Sequence, residues 1–487
     1  MNSRNFIIVG AGLGGLATAL RLSHRGHKVT ILEKNKHIGG RNSRVQVNEC
    51  DFDGGASLMM MLDPFKSLFR DIGERIEDHL ELKLCDPSYR VFFGDGSTIY
   101  GTPNVATMVD QIEKLCGRDE AERYGKLLGD LAELYRLSIP NFVRRNYNSP
   151  LDLVRLDSLK TVLKHHMLSN LSKRMEGYVS DPRLRMLFSF QTMYLGLSPF
   201  DAPWVYAVLT YMEYGEGIWY PMGGLSTINE KISELAVAKG VEIRTQAEVT
   251  SISGNTVTLV GGEVLSADAI ICNNDLPYAE KQLVAPSGSS TNKGAAKERR
   301  YSCSAYTMYL DYEGELPELK HHNIFFGNDF KGNLDGIFHQ PMGVHDDPAF
   351  YCCVSSKTDA QRAPAGHENI FVLVPCPNND YDMKESDLER MRRHVFSRIP
   401  GFDETKIRGM VTRTPKDWEE EYHLDKGATF GLAHDFWQSV CFRPDNRCKT
   451  NPHLFYVGAS TVPGNGLPMV LISAELVEKR LEEANLL

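Results

Sequence analysis

The sequence predicts an α/β and α+β protein with discontinuous domains, on three observations. Residues 6–33, FIIVGAGLGGLATALRLSHRGHKVTILE, read as strand, glycine loop, helix and strand, ending in an acid. From about 105 to 190 the apolar residues switch to helical spacing, and from 301 to 427 they read as several strands and one helix. Residues 455–477 return to strand, glycine-proline loop and helix. A Rossmann-like domain built from 1–85, 205–300 and 430–487 follows, with a second domain of sheet plus helices from 86–204 and 301–429.

The glycine loop opens the first domain. Gly10 permits the tight turn, Gly12 lets the backbone approach a pyrophosphate, and Gly15 lets the helix pack on the strand. Leu13 and Gly14 complete the loop at the helix N-terminus, whose amides and dipole favour negative charge. A GxGxxG run alone also occurs in ordinary turns. Here a strand precedes it, a helix follows it, and Glu33 lies about 20 residues on, placed to accept hydrogen bonds from a ribose. Residues 34–41, KNKHIGGR, add a second glycine pair ending in arginine. A plain NAD site does not need that pair, so the sequence points to FAD, with Gly40 and Arg41 as further contacts.

Alternating residues after Arg41 predict two strands and a turn at Asp53, Gly54 and Gly55. Gly54 and Gly55 either let backbone approach the flavin or form a simple turn. Residues 63–82 carry helical spacing behind the start signal Asp63-Pro64. Residues 89–100 read as a hairpin around Gly94, Asp95 and Gly96.

The helical insertion includes a leucine-rich stretch, 151–175, with Arg155, Lys160, Lys164, Lys173 and Arg174 against Asp152 and Asp157. Such a helix either lies on an anionic membrane or presents an ordinary solvated basic face. Residues 188–224 are dense in aromatics and methionines, which form either core or the lining of an apolar tunnel. A helix at 226–239, a strand at 241–245, a ribbon around 253–255 and a strand into Cys272 resume the nucleotide unit and add Val249 to the candidate cofactor contacts. Residues 285–300 are small, polar and basic, as in an exposed linker. Strands at 304–312, 349–356 and 368–376 and a helix at 385–399 build the second domain. The final strand ends at Val457 and Gly458, and a helix from Met469 brings a second N-terminus to the cofactor, with Gly458, Pro468 and Met469 as contacts.

Composition sets further bounds. The chain is 42% hydrophobic and 24% charged, as in soluble globular proteins, and its net charge of −9 argues against nucleic acid as principal partner. Its ten cysteines form no CxxC and have no histidine at zinc-ligand spacing. They read as reduced core thiols, which favours the cytoplasm and predicts no metal site. Arg4 before an apolar run imitates a secretory signal, but five glycines between 10 and 26 break the run. No window offers the roughly 18 apolar residues of a membrane span.

The glycine loop with Glu33, Gly39, Gly40 and Arg41, together with FQTMYLGLSP (190–199), GIWYPMGGLSTI (217–228) and FYVGASTVPGNGLPMVLISAELV (455–477), resembles the bacterial and fungal phytoene desaturases across essentially the whole chain. The two middle motifs carry most of the specificity. The resemblance implies an FAD enzyme that removes hydrogens from a long apolar polyene in carotenoid biosynthesis. It also implies a cytoplasmic protein, peripheral on the cytoplasmic face of a membrane, with quinone or oxygen as electron acceptor. It favours membrane contact for the basic helices and tunnel lining for the aromatic stretch. Met222 and Val462 depart from the family pattern and bear on substrate and number of desaturations.

Such a substrate has no heteroatom to activate, so the flavin must take the hydride while the protein supplies position, a dry channel and at most one base. Glu213, Asp425 and His434 are candidates for that base, and no catalytic residue is assigned. The alternatives are a related carotenoid isomerase or saturase, an FAD amine oxidase-type enzyme, and a non-catalytic flavoprotein.

Overall fold

Five parallel strands, in the order Leu454–Tyr456, Ala269–Cys272, Asn5–Val9, Lys28–Leu32 and Glu242–Arg244, form the nucleotide sheet of the computed structural model, which describes residues 3–149, 152, 162–284 and 299–487. Both faces of this sheet are covered, which is why its strands read as unbroken apolar runs. Phe6 and Ile8 face the helices Leu13–His24 and Leu467–Glu483, while Ile7 and Val9 face a three-stranded antiparallel ribbon of Val249–Ser253, Thr256–Leu259 and Val264–Ser266. The pleat alternation thus sorts one run of four apolar residues into two cores.

The second sheet has seven strands, in the order Ile407–Arg413, Ser304–Glu313, His367–Cys376, Phe350–Val354, His322–Phe325, Tyr89–Phe92 and Thr98–Gly101. Its pairs are antiparallel except that His322–Phe325 runs parallel to Tyr89–Phe92. One face packs on the helix Glu385–Arg398. Val91, Ile324 and Phe326 join the largest core, which also holds the helices Val105–Cys116, Arg118–Ser138 and Val208–Tyr214. The short ribbon of Leu82–Cys85 with Ile218–Pro221 links the two sheet systems.

The strands and the helix expected between 301 and 399 are present, as are the hairpin and the ribbon. Two further strands, His322–Phe325 and Ile407–Arg413, and two helices, Phe330–Phe338 and Pro415–Tyr422, are also present between 301 and 427. The helix expected over 63–82 is shorter, Leu62–Asp71, because Gly73 turns the chain at φ +81°. The last helix starts at Leu467, two residues before Met469. The basic residues Arg155 and Lys160, with Asp157, and most of the 285–300 linker lie outside the described residues. Of the described basic residues, Lys164 pairs with Glu133 at 3.1 Å and Arg174 lies over the Trp204 ring. Among the described residues no helix is long and apolar enough to cross a membrane.

Candidate functional site

One cavity of about 730 Å³ begins at the carboxyl ends of the nucleotide-sheet strands and continues into the helical region. That is where open α/β sheets bind ligands. Gly10, Gly12, Leu13, Gly14, Glu33, Gly40, Arg41, Gly55, Val249, Gly458, Pro468 and Met469 all lie on its wall. Gly15 and Gly54 do not. A Cβ on Gly15 would stand 2.2 Å from the Gly10 carbonyl oxygen, so this glycine serves helix-on-strand packing. Gly54 is held between Ser43, whose carbonyl accepts its N–H at 2.7 Å, and Tyr309, whose hydroxyl donates to its carbonyl at 2.5 Å.

Two helix N-termini open on this end. The helix Leu13–His24 starts from Gly12 and the helix Leu467–Glu483 from Gly466, neither with a side-chain cap nor with an acid in its first turn. Their unpaired amides form a donor set for an anion such as a pyrophosphate. Glu33 is buried, and its Oε2 and Oε1 accept the backbone N–H groups of Ala11 and Asn35, each at 2.8 Å. A carboxylate accepts about four hydrogen bonds, so it retains capacity for ribose hydroxyls. Gly39 donates to the Ala11 carbonyl at 2.9 Å, which docks the second glycine pair onto the loop. Arg41 donates to the Thr429 carbonyl at 2.6 Å. Burial lowers its pKa, against the opposing pull of Asp275.

Asn273 and Asp275 are residues of the cavity wall that the loop motif did not reveal. A Cβ on Gly12 would meet Asn273 Nδ2 at 2.7 Å, and one on Gly14 would meet Asn273 Oδ1 at 2.6 Å. The glycines therefore admit the Asn273 side chain as well as leaving open the approach to a ligand. Asp275 accepts from Ser460 Oγ at 2.6 Å and from the Asp425 amide at 3.2 Å, and burial raises its pKa. The available signal was their position just past the strand that ends at Cys272.

The other arm of the cavity is apolar. Phe142, Met167, Phe190, Met193, Val205, Met212, Phe326 and Phe430 line it. The aromatic stretch thus divides between the two uses open to it: Phe190, Met193, Tyr194, Tyr206 and Met212 face the cavity, while Phe188, Trp204 and Tyr214 are core. The three carboxylates on the wall, Glu33, Glu248 and Asp275, all flank strands near the glycine loop. Among the described residues no carboxylate lines the apolar arm.

The three candidate bases separate. Asp425 lies off the cavity and bonds Tyr301 and Lys281. Glu213 is fully buried behind Tyr194, whose hydroxyl donates to its Oε2 at 3.3 Å and pairs with the Tyr89 hydroxyl at 2.6 Å. Burial holds the Glu213 carboxyl well above the ordinary carboxylate range, which favours its neutral form. His434 lines the cavity, and its Nε2 accepts the Asn465 backbone N–H at 3.3 Å. Burial, reinforced by Arg443, pushes its pKa well below the ordinary value, so it is neutral there. Val462 lies on the cavity wall, whereas Met222 packs beside Tyr220 and Leu225, off it.

A dinucleotide cradle continuous with an apolar channel defines the class as a flavin-dependent oxidoreductase. The sequence profile described as flavin containing amine oxidoreductase matches residues 13–476. The zeta-carotene-forming phytoene desaturase of Myxococcus xanthus is 40% identical over 98% of this chain and 94% of its own length. The phytoene desaturase of Phycomyces blakesleeanus is 35% identical over 98% of this chain and 85% of its own. Among solved structures, an oxidoreductase from Methanosarcina mazei shares the fold, with a TM-score of 0.67, 17% identity, and coverage of 98% of this chain and 100% of its own. The chain belongs to the flavin-containing amine oxidoreductase family, within its carotenoid desaturase branch, and its cofactor is FAD.

Proposed function

We propose that this chain is an FAD-dependent carotenoid desaturase that removes hydrogens from a long, apolar polyene and so extends its conjugation. The carrying observation is the continuity of the cavity, from two uncapped helix N-termini to an arm walled by aliphatic, methionine and aromatic side chains. When bound, FAD accepts the two electrons of each desaturation. Gly10, Gly12, Leu13 and Gly14 present backbone to the pyrophosphate, Glu33 takes the ribose, and Gly40, Arg41, Gly55, Val249, Gly458, Pro468 and Met469 complete the cradle. Gly15 and Gly54 support it from behind.

The residues of the arm position a hydrocarbon and exclude water. Tyr194, anchored by Glu213 and by Tyr89, presents its ring to the arm. His434 offers no free basic Nε2, because that nitrogen already accepts from Asn465. No side chain is therefore assigned as a base. An amine substrate would bring a cation, and the absence of a carboxylate from the described arm opposes the amine oxidase reading.

The substrate enters from a membrane surface on which the protein is peripheral. Leu168, Phe436 and Phe442 line the cavity and are also exposed, Leu168 at 57%, and Trp437 packs against both phenylalanines while 52% exposed. An apolar rim around a cavity mouth suits an interface with lipid. The electron acceptor is a quinone or dioxygen. Expression in cells that accumulate colourless phytoene tests the whole reading. Coloured, longer-conjugated products support it, whereas colourless phytoene beside folded, FAD-loaded protein overturns it. An isomerase or saturase would change the pigments without net consumption of an acceptor.

A further inference from the structure

Cys85, His321 and His322 each offer one ligand atom, and these atoms lie within 4.8 Å of one another, away from the cavity wall and with all three residues buried. They converge at the junction of the two sheet systems. Cys85 ends the ribbon strand Leu82–Cys85, and His322 begins the strand His322–Phe325, opposite Cys353. The imidazoles are 4.2 Å apart between centroids, and the Tyr220 ring packs edge-on against His321 at 4.7 Å.

The hydrogen bonding separates the two nitrogens of each ring. His321 Nδ1 bonds Thr358 Oγ1 at 2.7 Å, and His322 Nδ1 bonds Tyr351 Oη at 2.6 Å. Nε2 of each ring is buried and has no hydrogen-bond partner among the described residues. Two orphaned nitrogens in a closed interior are costly for ordinary core histidines. Metal-ligating histidines show this arrangement, in which Nδ1–H donates to an oxygen that fixes the ring while Nε2 takes the ion.

We propose that Cys85, His321 and His322 bind a borderline or soft d-block cation, for which zinc(II) is the representative. One sulfur and two imidazole nitrogens match the donor preferences of zinc and exclude hard ions such as magnesium. The ion ties the ribbon to the strand His322–Phe325, inside the seven-stranded sheet. It also lies one hydrogen bond from Tyr351, which lines the cavity, so it fixes a wall of the substrate arm and takes no part in the chemistry.

The test uses the full-length, FAD-loaded protein dialysed against zinc chloride, followed by metal analysis, and against cobalt(II) chloride, followed by absorption spectroscopy. The expected result is about one equivalent of zinc per chain, a thiolate-to-cobalt charge-transfer band, and a higher melting temperature with zinc than with magnesium. Cys85→Ser should abolish the band. Thr358→Val keeps all three ligands and removes the hydroxyl that orients His321, so zinc should bind about 10–100-fold more weakly; this variant decides the matter if Cys85→Ser does not fold. Folded, flavin-loaded protein that retains no zinc, a cobalt band that survives Cys85→Ser, or unchanged affinity in Thr358→Val would overturn the proposal.

Discussion

At Glu33 the carboxylate holds two backbone amides and, in the proposed cradle, also takes the ribose. It accepts the Ala11 and Asn35 amides in the protein itself, so Glu33→Ala should weaken FAD binding and also destabilise the apoprotein by about 1–3 kcal/mol through unpaired buried donors. Denaturant unfolding of flavin-free protein measures the second effect; an unchanged midpoint would leave Glu33 a ribose contact alone. Gly12→Val tests the neighbouring constraint. Its Cβ would meet Asn273 Nδ2, and the overpacking should cost about 1–3 kcal/mol and release FAD before any direct effect on turnover appears. Flavin content after gel filtration is the readout. The motif spacing identified both residues, but it could not reveal Asn273, which reaches the loop from the distant strand Ala269–Cys272.

Glu213 supplies a pH dependence. Its pKa is raised in the folded state, so between its unfolded and folded values the native protein holds a proton that the unfolded chain has lost. Its contribution is thus fully present below the unfolded pKa and is lost as pH rises. Glu213→Gln cannot ionise, so above about pH 5 its stability should gain on wild type by up to about 1.4 kcal/mol per pH unit. Urea midpoints across neutral pH check this, and a constant difference would mean that Glu213 is ionised in the fold. Sequence placed Glu213 near the site, but its burial behind Tyr194 depends on packing from several elements.

At the scale of elements, long periodic segments were the most legible. The strands Ser304–Glu313 and His367–Cys376 and the helix Glu385–Arg398 follow their patterns closely. The strand Ile407–Arg413 was not, because it is an edge strand with a half-exposed, mixed sequence, IRGMVTR. The segment from Phe436 to Phe442 was also missed, since it consists of two short turns whose exposed rings carry no periodic signal. It carries an element-scale prediction. Trp437→Ser with Phe442→Ser should reduce co-sedimentation with phospholipid vesicles on the order of tenfold, through lost apolar burial, while leaving FAD content intact. Undiminished vesicle binding would place the membrane contact elsewhere.

For the whole molecule, the outer motifs identified the cofactor and the middle motifs the substrate class, because each lies in a contiguous stretch. The grouping of Cys85, His321 and His322 was invisible, since Cys85 and the His321-His322 pair meet only when the two sheet systems dock. Met222 and Val462 likewise differ in a way that sequence could not rank: only Val462 faces the cavity, so Val462 is the departure positioned to act on substrate. One cavity joins the nucleotide-sheet loop to an apolar arm, and the proposed reaction needs both ends at once. The most direct test incubates purified, FAD-loaded protein with phytoene in phospholipid vesicles and a quinone, and follows the polyene absorption spectrum. The expected result is stepwise growth of long-wavelength polyene bands with matching quinone reduction; colourless phytoene in the presence of vesicle-bound, fully flavin-loaded protein and either acceptor would rule out a polyene desaturase.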